Sequence, residues 1–209
     1  LNTKSFLGKT VFITVGRQMY QKGYWHLLKV FRKVHELNSN TILLMVGSKD
    51  ESVVEFIRKY NMQDCIILAG TQSNPFSLMY RSDIYVLTSI FEGFPNALAE
   101  AMVCGLPIVA ADCQSGPREI LAPNTAISTV CDSIEEAEYG VLVHPMEKEE
   151  NWNATVFTTG EEFLFKAMMK LLDNDEMRKE YGIKAQKRAR EFDYTVCKEK
   201  YIELIEELF

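Results

Sequence analysis

Short apolar runs alternate with amphipathic stretches along the first two-thirds of the chain. Apolar residues recur at helical spacing between the runs, as at Leu27, Leu28, Phe31 and Val34. Runs that are apolar almost throughout are typical of parallel strands covered on both faces. Their alternation with helical stretches predicts right-handed βαβ units and hence a doubly wound α/β sheet. The predicted strands are VFITV (11–15), TILLMVG (41–47), CIILAG (65–70), IYVLTS (84–89) and PIVAAD (107–112).

The pattern changes after Pro123. Two acidic stretches, 125–138 and 146–158, surround a short apolar run, so we expect one more strand at about 140–143 between two solvated loops. From Thr158 onward the pattern is helical, and Thr159 and Asp175 are the predicted N-caps of two helices.

Composition and charge exclude several classes of protein. The chain has 209 residues, of which 47% are hydrophobic and 25% charged, as in a globular protein with a sizeable core. Its net charge of −6 argues against a nucleic-acid partner, whose binding site would be basic. The longest apolar stretch, 94–111, contains Glu100 and two prolines, which excludes a transmembrane helix there. Five cysteines without a C-x-x-C pair indicate reduced thiols and a cytoplasmic location.

Several common catalytic motifs are missing from the sequence. There is no G-x-G-x-x-G, no P-loop, no H-E-x-x-H zinc motif and no G-x-S-x-G nucleophile elbow. Cys104 precedes a glycine in an apolar setting, which favours a buried structural thiol over a nucleophile. A zinc enzyme and a serine hydrolase are therefore disfavoured.

The segment V-G-R-Q-M-Y-Q-K-G (15–23) follows the first predicted strand directly. Gly16 permits a turn, and Arg17 and Lys22 then stand at the carboxyl end of the strand, where open α/β sheets bind ligands. Two cations placed there suit an anion such as a phosphate. By themselves, an arginine and a lysine in such a loop are also ordinary surface charges.

A second segment, S-I-F-E-G-F-P-N-A-L-A-E (89–100), follows the fourth predicted strand. Glu92 lies in a Gly/Pro loop, and Asn96 is the predicted N-cap of the helix that carries Glu100. The N-terminus of that helix would favour a phosphate, and carboxylates accept hydrogen bonds from the paired hydroxyls of a ribose or a sugar. The alternative is an ordinary solvated helix start with two unrelated acids.

This second segment resembles the E-x7-E motif of retaining glycosyltransferases of family 4, which have the two-domain GT-B fold. Seven residues separate Glu92 from Glu100, and the resemblance extends in order from about Val11 to Phe209. The other matching stretches are G-R-Q-M-Y-Q-K-G (16–23), L-M-V-G (44–47), L-A-G (68–70), S-D-I-Y-V-L-T-S (82–89), A-M-V-C-G-L-P-I-V-A (101–110) and S-G-P-R-E-I-L (115–121).

The resemblance implies the Rossmann-like, donor-binding C-terminal half of such an enzyme. Arg17 and Lys22 would bind the donor diphosphate, Glu92 the hydroxyls of the transferred sugar and Glu100 the ribose, with the base near 70–72. Because cations stabilise the leaving diphosphate, no metal cofactor is expected. The resemblance assigns catalysis to Arg17, Lys22 and Glu92, and donor binding to Gly16, Arg17, Lys22, Gly70, Thr71, Glu92, Gly93, Phe94, Pro95, Asn96, Ala97 and Glu100.

The same resemblance predicts how the chain is divided and what it binds. Residues 1–10 would be a linker remnant, 11–193 the donor-binding domain, and 194–209 a helix that packs on an N-terminal domain absent from the chain. The expected donor is a UDP-sugar that gives up a hexose or N-acetylhexosamine. A glycan or lipid-linked glycan would be the acceptor, and the full-length enzyme would associate peripherally with the inner face of the membrane. The chain alone should bind nucleotide without transferring sugar.

Two alternatives remain open at the level of sequence. One is an enzyme of the same fold that epimerises a UDP-N-acetylhexosamine, and the other is a non-catalytic module that binds nucleotide sugars. Transfer requires an acceptor and epimerisation does not, so activity of the full-length protein distinguishes them.

Overall fold

A computed structural model of the chain describes residues 6–17, 19–47 and 50–206. Seven strands form one sheet in the order β3-β2-β1-β4-β5-β7-β6, and every neighbouring pair is parallel except β6–β7. The strands are β1 (Thr10–Val15), β2 (Thr41–Val46), β3 (Ile66–Gly70), β4 (Ile84–Leu87), β5 (Ile108–Ala111), β6 (Ile134–Ala137) and β7 (Gly140–Val143).

Helices cover both faces of this sheet, which confirms the predicted doubly wound α/β class. Two short 3-10 turns, Tyr20–Lys22 and Arg190–Phe192, follow β1 and α7 respectively. The helices are α1 (Tyr24–Leu37), α2 (Glu51–Lys59), α3 (Phe76–Met79), α4 (Asn96–Val103), α5 (Pro117–Leu121), α6 (Thr159–Leu172), α7 (Asp175–Ala189) and α8 (Tyr194–Glu206).

The order of the strands places a crevice beside β1. From β1 the chain moves outward to β2 and β3, then returns to place β4 on the other side of β1. At such a reversal the loops that follow the two central strands diverge, and the gap between them is where open α/β sheets bind ligands. The loops in question, 16–23 and 88–95, are the two that carry the predicted chemistry.

The core lies in two layers, one on each face of the sheet. Phe12 of β1 packs with α1 and α6 on one face, whereas Ile13 packs with α4 and α7 on the other. Because successive side chains of a strand alternate between faces, a strand buried on both sides is apolar at every position. This burial explains the continuous apolar runs of the sequence.

The acidic stretch 125–138 contains a strand that the sequence pattern did not predict. β6 pairs with β7 in antiparallel register, with Ala137 opposite Gly140. Glu135 of β6 accepts a hydrogen bond at 2.7 Å from buried Arg118, which also pairs with Asp112 at 2.6 Å. The prediction of a solvated loop was wrong here because β7 and Arg118 pair with the polar middle of the strand, while Ile134 and Ala137 at its two ends pack against the core.

Two predicted N-caps are each one residue too late. Thr158 caps α6, and the Glu161 side chain accepts in return from the Thr158 N–H at 2.9 Å. Asn174 caps α7 by accepting from the Met177 N–H at 2.9 Å. In both places two adjacent residues have capping side chains, so composition alone does not choose between them.

Candidate functional site

The loop after β1 is held against the end of β2. The Gly16 N–H donates to the Val46 carbonyl at 2.9 Å. Gly47 has a φ of 141°, and a Cβ built on it would lie 1.8 Å from the Gly16 carbonyl oxygen. Only glycine fits at this close approach, which sets the direction in which the 16–23 loop leaves the sheet.

The Lys22 ammonium and the Glu92 carboxylate form an ion pair between the two central loops. The Lys22 Nζ–Glu92 Oε1 distance is 2.6 Å, and the Glu92 side chain is only 7% exposed. The Ser89 hydroxyl donates to the same Oε1 at 2.6 Å, and the Gln21 amide donates to Oε2 at 3.3 Å. Three donors thus orient a carboxylate that is almost out of solvent, which fixes its position before any ligand arrives.

The backbone of Glu92 is held from the opposite side by the segment that follows β5. Its N–H donates to the Gln114 carbonyl at 3.3 Å, and its carbonyl accepts from the Ser115 N–H at 3.0 Å. Gly116 has a φ of 86°, and a Cβ there would lie 2.3 Å from the Gly93 carbonyl oxygen. The S-G-P-R-E-I-L stretch therefore supports the Glu92 loop.

Helix α4 begins at this loop with its first turn uncapped by a side chain. The residue at the N-cap position is Pro95, and Asn96 is the first helical residue, so the predicted N-cap role of Asn96 is wrong. Pro95 has a φ of −76° and a ψ of 82°, outside the helical region, and the helical backbone already begins at Asn96. The N-terminus of α4 keeps its partial positive charge directed at the adjoining space.

These elements enclose a cleft of about 400 Å³, which we call the switch-point cleft. Exposed Arg17 stands at its margin and Lys22 and Glu92 lie within it. Of the predicted donor-binding residues, Gly16, Arg17, Lys22, Glu92, Phe94, Pro95, Asn96 and Ala97 line the cleft.

Other predicted donor-binding residues lie close to the switch-point cleft without lining it. Gly93 is in the loop between Glu92 and Phe94. Glu100 lines an adjacent cleft of about 610 Å³ that shares Phe94 and Asn96 with the first. Gly70 is the last residue of β3 and Thr71 follows it, two strands away from β1 on the same edge of the sheet.

Partial burial raises the pKa of the Glu100 carboxyl above its ordinary value. The folded state then holds the Glu100 proton more tightly than the unfolded chain does, and stability falls as pH rises through the titration range of the carboxyl. A carboxylate kept at such a position lowers stability at neutral pH, a feature that clusters at functional sites.

We therefore expect Glu100→Gln to raise the melting temperature relative to the original chain, and to raise it more at about pH 7 than at about pH 3, because glutamine does not titrate. Thermal unfolding across this pH range is the measurement. Glu55→Gln, at an exposed position of α2, is the matched control. A difference in melting temperature that does not vary with pH would contradict the role of ionisation.

Two features that bear on metal or thiol chemistry lie away from the cleft. Asp173, Asn174 and Asp175 form a D-x-D triplet, a pattern associated with metal-dependent sugar transfer, but Asp175 lines a groove with Pro107 at the amino end of β5. In the described part of the chain, His, Cys, Asp and Glu side chains form no group of three that could hold a metal ion. Cys104 is buried, and burial raises its thiol pKa, in keeping with a structural thiol.

Comparison with known proteins identifies the family. A sequence profile described as "Glycosyl transferases group 1" matches residues 2–188. The chain belongs to the group 1 glycosyltransferases. The fold of this group 1 chain is similar to that of Anabaena HepE in complex with UDP and glucose, with a TM-score of 0.77. The two are 18% identical, and the match covers 98% of this chain and 50% of HepE.

Curated relatives of this group 1 chain are also glycosyltransferases. An uncharacterized glycosyltransferase of Methanocaldococcus jannaschii is 35% identical over 96% of this chain and 50% of its own length. The N-acetylgalactosamine-N,N'-diacetylbacillosaminyl-diphospho-undecaprenol 4-alpha-N-acetylgalactosaminyltransferase of Campylobacter jejuni is 25% identical over 87% of this chain and 42% of its own length. The group 1 chain thus spans about half the length of these relatives.

The structure also shows site residues of this group 1 chain that sequence reasoning did not single out. Ser89 and Gln21 contact the Glu92 carboxylate, and Gln114 contacts its backbone. Ser89 lies at a strand end, a position that could have marked it. No motif or spacing in the sequence indicates that residue 114 contacts residue 92.

Over the described residues, no helix of the group 1 chain combines the length and the apolarity needed to cross a membrane.

Proposed function

We propose that this chain is the donor-binding half of a retaining, family 4-like glycosyltransferase that takes a hexose or N-acetylhexosamine from a UDP-sugar. The observation that carries the proposal is the meeting of Lys22, Glu92 and the N-terminus of α4 in one cleft at the point where the strand order reverses. A cation, a helix N-terminus and an oriented carboxylate are the groups needed to hold a sugar diphosphate.

The geometry supports a specific role for the positively charged groups of the cleft during transfer. When the glycosyl–phosphate bond breaks, the electron pair leaves with the diphosphate, and positive charge develops on the anomeric carbon. Arg17, Lys22 and the α4 N-terminus would stabilise the departing negative charge because they are already in place. The Lys22 ammonium has three N–H groups and spends one on Glu92, so it can bind a phosphate oxygen at the same time.

The acceptor side is proposed from the relatives. The Campylobacter relative is named for transfer to a diphospho-undecaprenol-linked glycan. A glycan or lipid-linked glycan is accordingly the proposed acceptor, bound by a second domain that would face the switch-point cleft. The division into 1–10, 11–193 and 194–209 belongs to this proposal, with α8 as the helix that would contact the second domain.

The test compares the two glutamates by calorimetry with UDP and with a panel of UDP-glucose, UDP-galactose and UDP-N-acetylglucosamine. We expect Glu100→Gln to weaken UDP and the preferred UDP-sugar alike, by about 1–2 kcal/mol, because the ribose is common to both. Glu92→Gln should keep or raise affinity for UDP, since it removes a negative charge beside the diphosphate while Lys22 stays in place, and it should lose the extra affinity due to the sugar.

Glu55→Gln is the control for the general loss of one negative charge. Absence of any UDP binding by the original chain would reject the proposed function. If Glu92→Gln weakened UDP as much as Glu100→Gln did, the family would stand but the roles of the two glutamates would be wrongly assigned.

A further inference from the structure

The acidic segment 146–158 is fastened against α1 and α2, so the prediction of a solvated loop there was wrong. The Trp152 ring packs edge-to-face on Trp25 of α1, with the ring centroids 6.3 Å apart. The Ala154 N–H donates at 3.2 Å to the hydroxyl of Tyr60, the residue that follows α2. We call this segment the strap, and it leads from β7 to the start of α6.

Two adjacent carbonyls of the strap accept hydrogen bonds from the part of the chain that carries Lys22. The Tyr20 hydroxyl donates to the Lys148 carbonyl at 2.5 Å, and His26 Nε2 donates to the Glu147 carbonyl at 2.9 Å. Lys22 lies between these two donors, two residues after Tyr20 and four before His26. The strap is therefore bonded to the chain on both sides of Lys22.

The buried ring of His26 has an acceptor at each of its two nitrogens. Its Nδ1 is 2.5 Å from Oε1 of Glu161 in α6, and its Nε2 faces the Glu147 carbonyl, which can only accept. A neutral imidazole has one N–H group and can donate to only one of these oxygens. Both bonds together require one further proton, and an imidazolium at position 26 supplies it.

The charges around His26 balance when its ring is protonated. The ionisable side chains that face this site are Lys29 of α1, Glu161 of α6 and Glu147 of the strap, with Lys29 Nζ at 2.6 Å from Glu161 Oε1. Burial acts to raise the pKa of the Glu147 carboxyl, but hydrogen bonds and the charge of His26 lower it. Two cations then face two carboxylates, whereas a neutral His26 would leave one negative charge in excess.

We propose that the strap positions Lys22 for the donor diphosphate and that its hold depends on the proton of His26, a role that rests on the proposed function. When the ring loses one proton to solvent, one of its two bonds must break. The bond to the Glu161 carboxylate is charge-assisted and is kept, so the Glu147 carbonyl is released. UDP should therefore bind more tightly while His26 is protonated. Tyr20 and His26 are positioning residues, because both act through Lys22.

Tyr20→Phe tests the positioning role without disturbing the buried charges. We expect it to weaken UDP binding by about 3- to 10-fold in calorimetry, as for the loss of one hydrogen bond. Hydrogen exchange of the Lys22 and Gly23 amides should become faster, because the turn that holds them is less restrained. Tyr80→Phe, at an exposed position next to α3, is the matched control and should change neither measurement.

The emission of Trp25 reports the proton of His26, because the two rings are 5.1 Å apart and an imidazolium quenches indole emission more strongly than a neutral imidazole does. Trp25 is the one tryptophan left in Trp152→Phe. We expect the emission of that variant to rise between about pH 5 and about pH 9, the range in which histidines lose a proton. The rise should vanish when His26→Gln is added and persist when His35→Gln is added.

The dependence of UDP binding on pH is read as a ratio, so that the titration of UDP itself cancels. The affinity of the original chain relative to His26→Gln should fall by about 3- to 10-fold as the Trp25 emission rises, because the Glu147 carbonyl is then released. The ratio to His35→Gln should stay constant. Circular dichroism shows whether each variant is folded, and if His26→Gln is not, Tyr20→Phe and the Trp25 emission decide.

The proposal is overturned if Tyr20→Phe matches the original chain in UDP affinity and in hydrogen exchange, or if the Trp25 emission does not change with pH. Failure of the proposed function is a separate result. If the original chain binds no UDP, faster exchange in Tyr20→Phe together with the His26-dependent emission would still establish the proton-linked strap, and unchanged exchange would reject it.

Discussion

Lys22→Ala is expected to weaken UDP binding by about 1.5–3 kcal/mol, or roughly 10- to 150-fold, because it removes a charge-assisted contact to the diphosphate. The structure adds a second reason. Lys22 neutralises the Glu92 carboxylate at 2.6 Å, and without the ammonium an almost buried negative charge would face the incoming diphosphate. Both effects act in the same direction, so the loss should reach the upper part of the range.

Lys22→Arg tests whether charge alone suffices. A guanidinium restores the charge but is planar and bulkier than an ammonium. The Lys22 side chain also packs closely on Gly16, because a Cβ built on Gly16 would lie only 3.1 Å from Lys22 Cε. We expect only partial recovery of UDP affinity.

The matched control is Lys170→Ala, since Lys170 also pairs with a glutamate, Glu136, but at an exposed surface position. Calorimetry with UDP at one fixed salt concentration is the measurement, because salt screens exposed charges. Equal affinity of the Lys22→Ala and Lys170→Ala variants would remove Lys22 from the diphosphate site.

The second large effect concerns stability rather than binding. Glu161 of α6 is fully buried, with its Oε1 at 2.6 Å from Lys29 Nζ and 2.5 Å from His26 Nδ1 of α1. Glu161→Gln should lower the free energy of unfolding by about 3–5 kcal/mol, because it leaves the buried Lys29 ammonium without a counter-charge. The same substitution weakens the capping box at the start of α6, since the Glu161 carboxylate also accepts from the Thr158 N–H.

Urea unfolding measures this loss, and Glu162→Gln is the control. Glu162 is the next residue, is about half exposed, and has its partner Lys33 at 3.7 Å, so its replacement should change the free energy of unfolding by less than about 1 kcal/mol. Lys29→Met combined with Glu161→Gln should recover part of the loss, since the unpaired charge is then absent. A similar midpoint for the two glutamine variants would show that the buried pair does not link α1 to α6.

The predictable part of the fold was the part with a repeating local pattern. The five strands of the first two-thirds are apolar at nearly every position, and each observed strand lies within two residues of its predicted bounds. The strand that was missed, β6, has the sequence I-E-E-A. Its pairing with β7 and the contact of Glu135 with Arg118 are tertiary, so a search for apolar runs does not find it.

The candidate site was also predictable only in part. The segments 15–23 and 89–100 stood out because their residue types follow strand ends, and strand ends of a parallel sheet share one edge. Their ion pair, however, joins residues 70 positions apart, and the support of Glu92 by Gln114 depends on the loop after β5. Such contacts follow from sheet order and loop direction, neither of which is encoded in a local pattern.

The sequence by itself determined the doubly wound α/β class, the two segments that carry the chemistry and the resemblance that led to a glycosyltransferase. Only the tertiary structure decided how Lys22 and Glu92 meet, that Asn96 does not cap α4, and that the acidic stretch 146–158 packs over α1 with Trp152 against Trp25 instead of forming a solvated loop. The physical reason is the difference in sequence separation between local signals and tertiary contacts. Periodicity and turn residues act over a few positions, whereas Trp25 and Trp152 become neighbours only when α1 and the segment before α6 pack on the same face of the sheet.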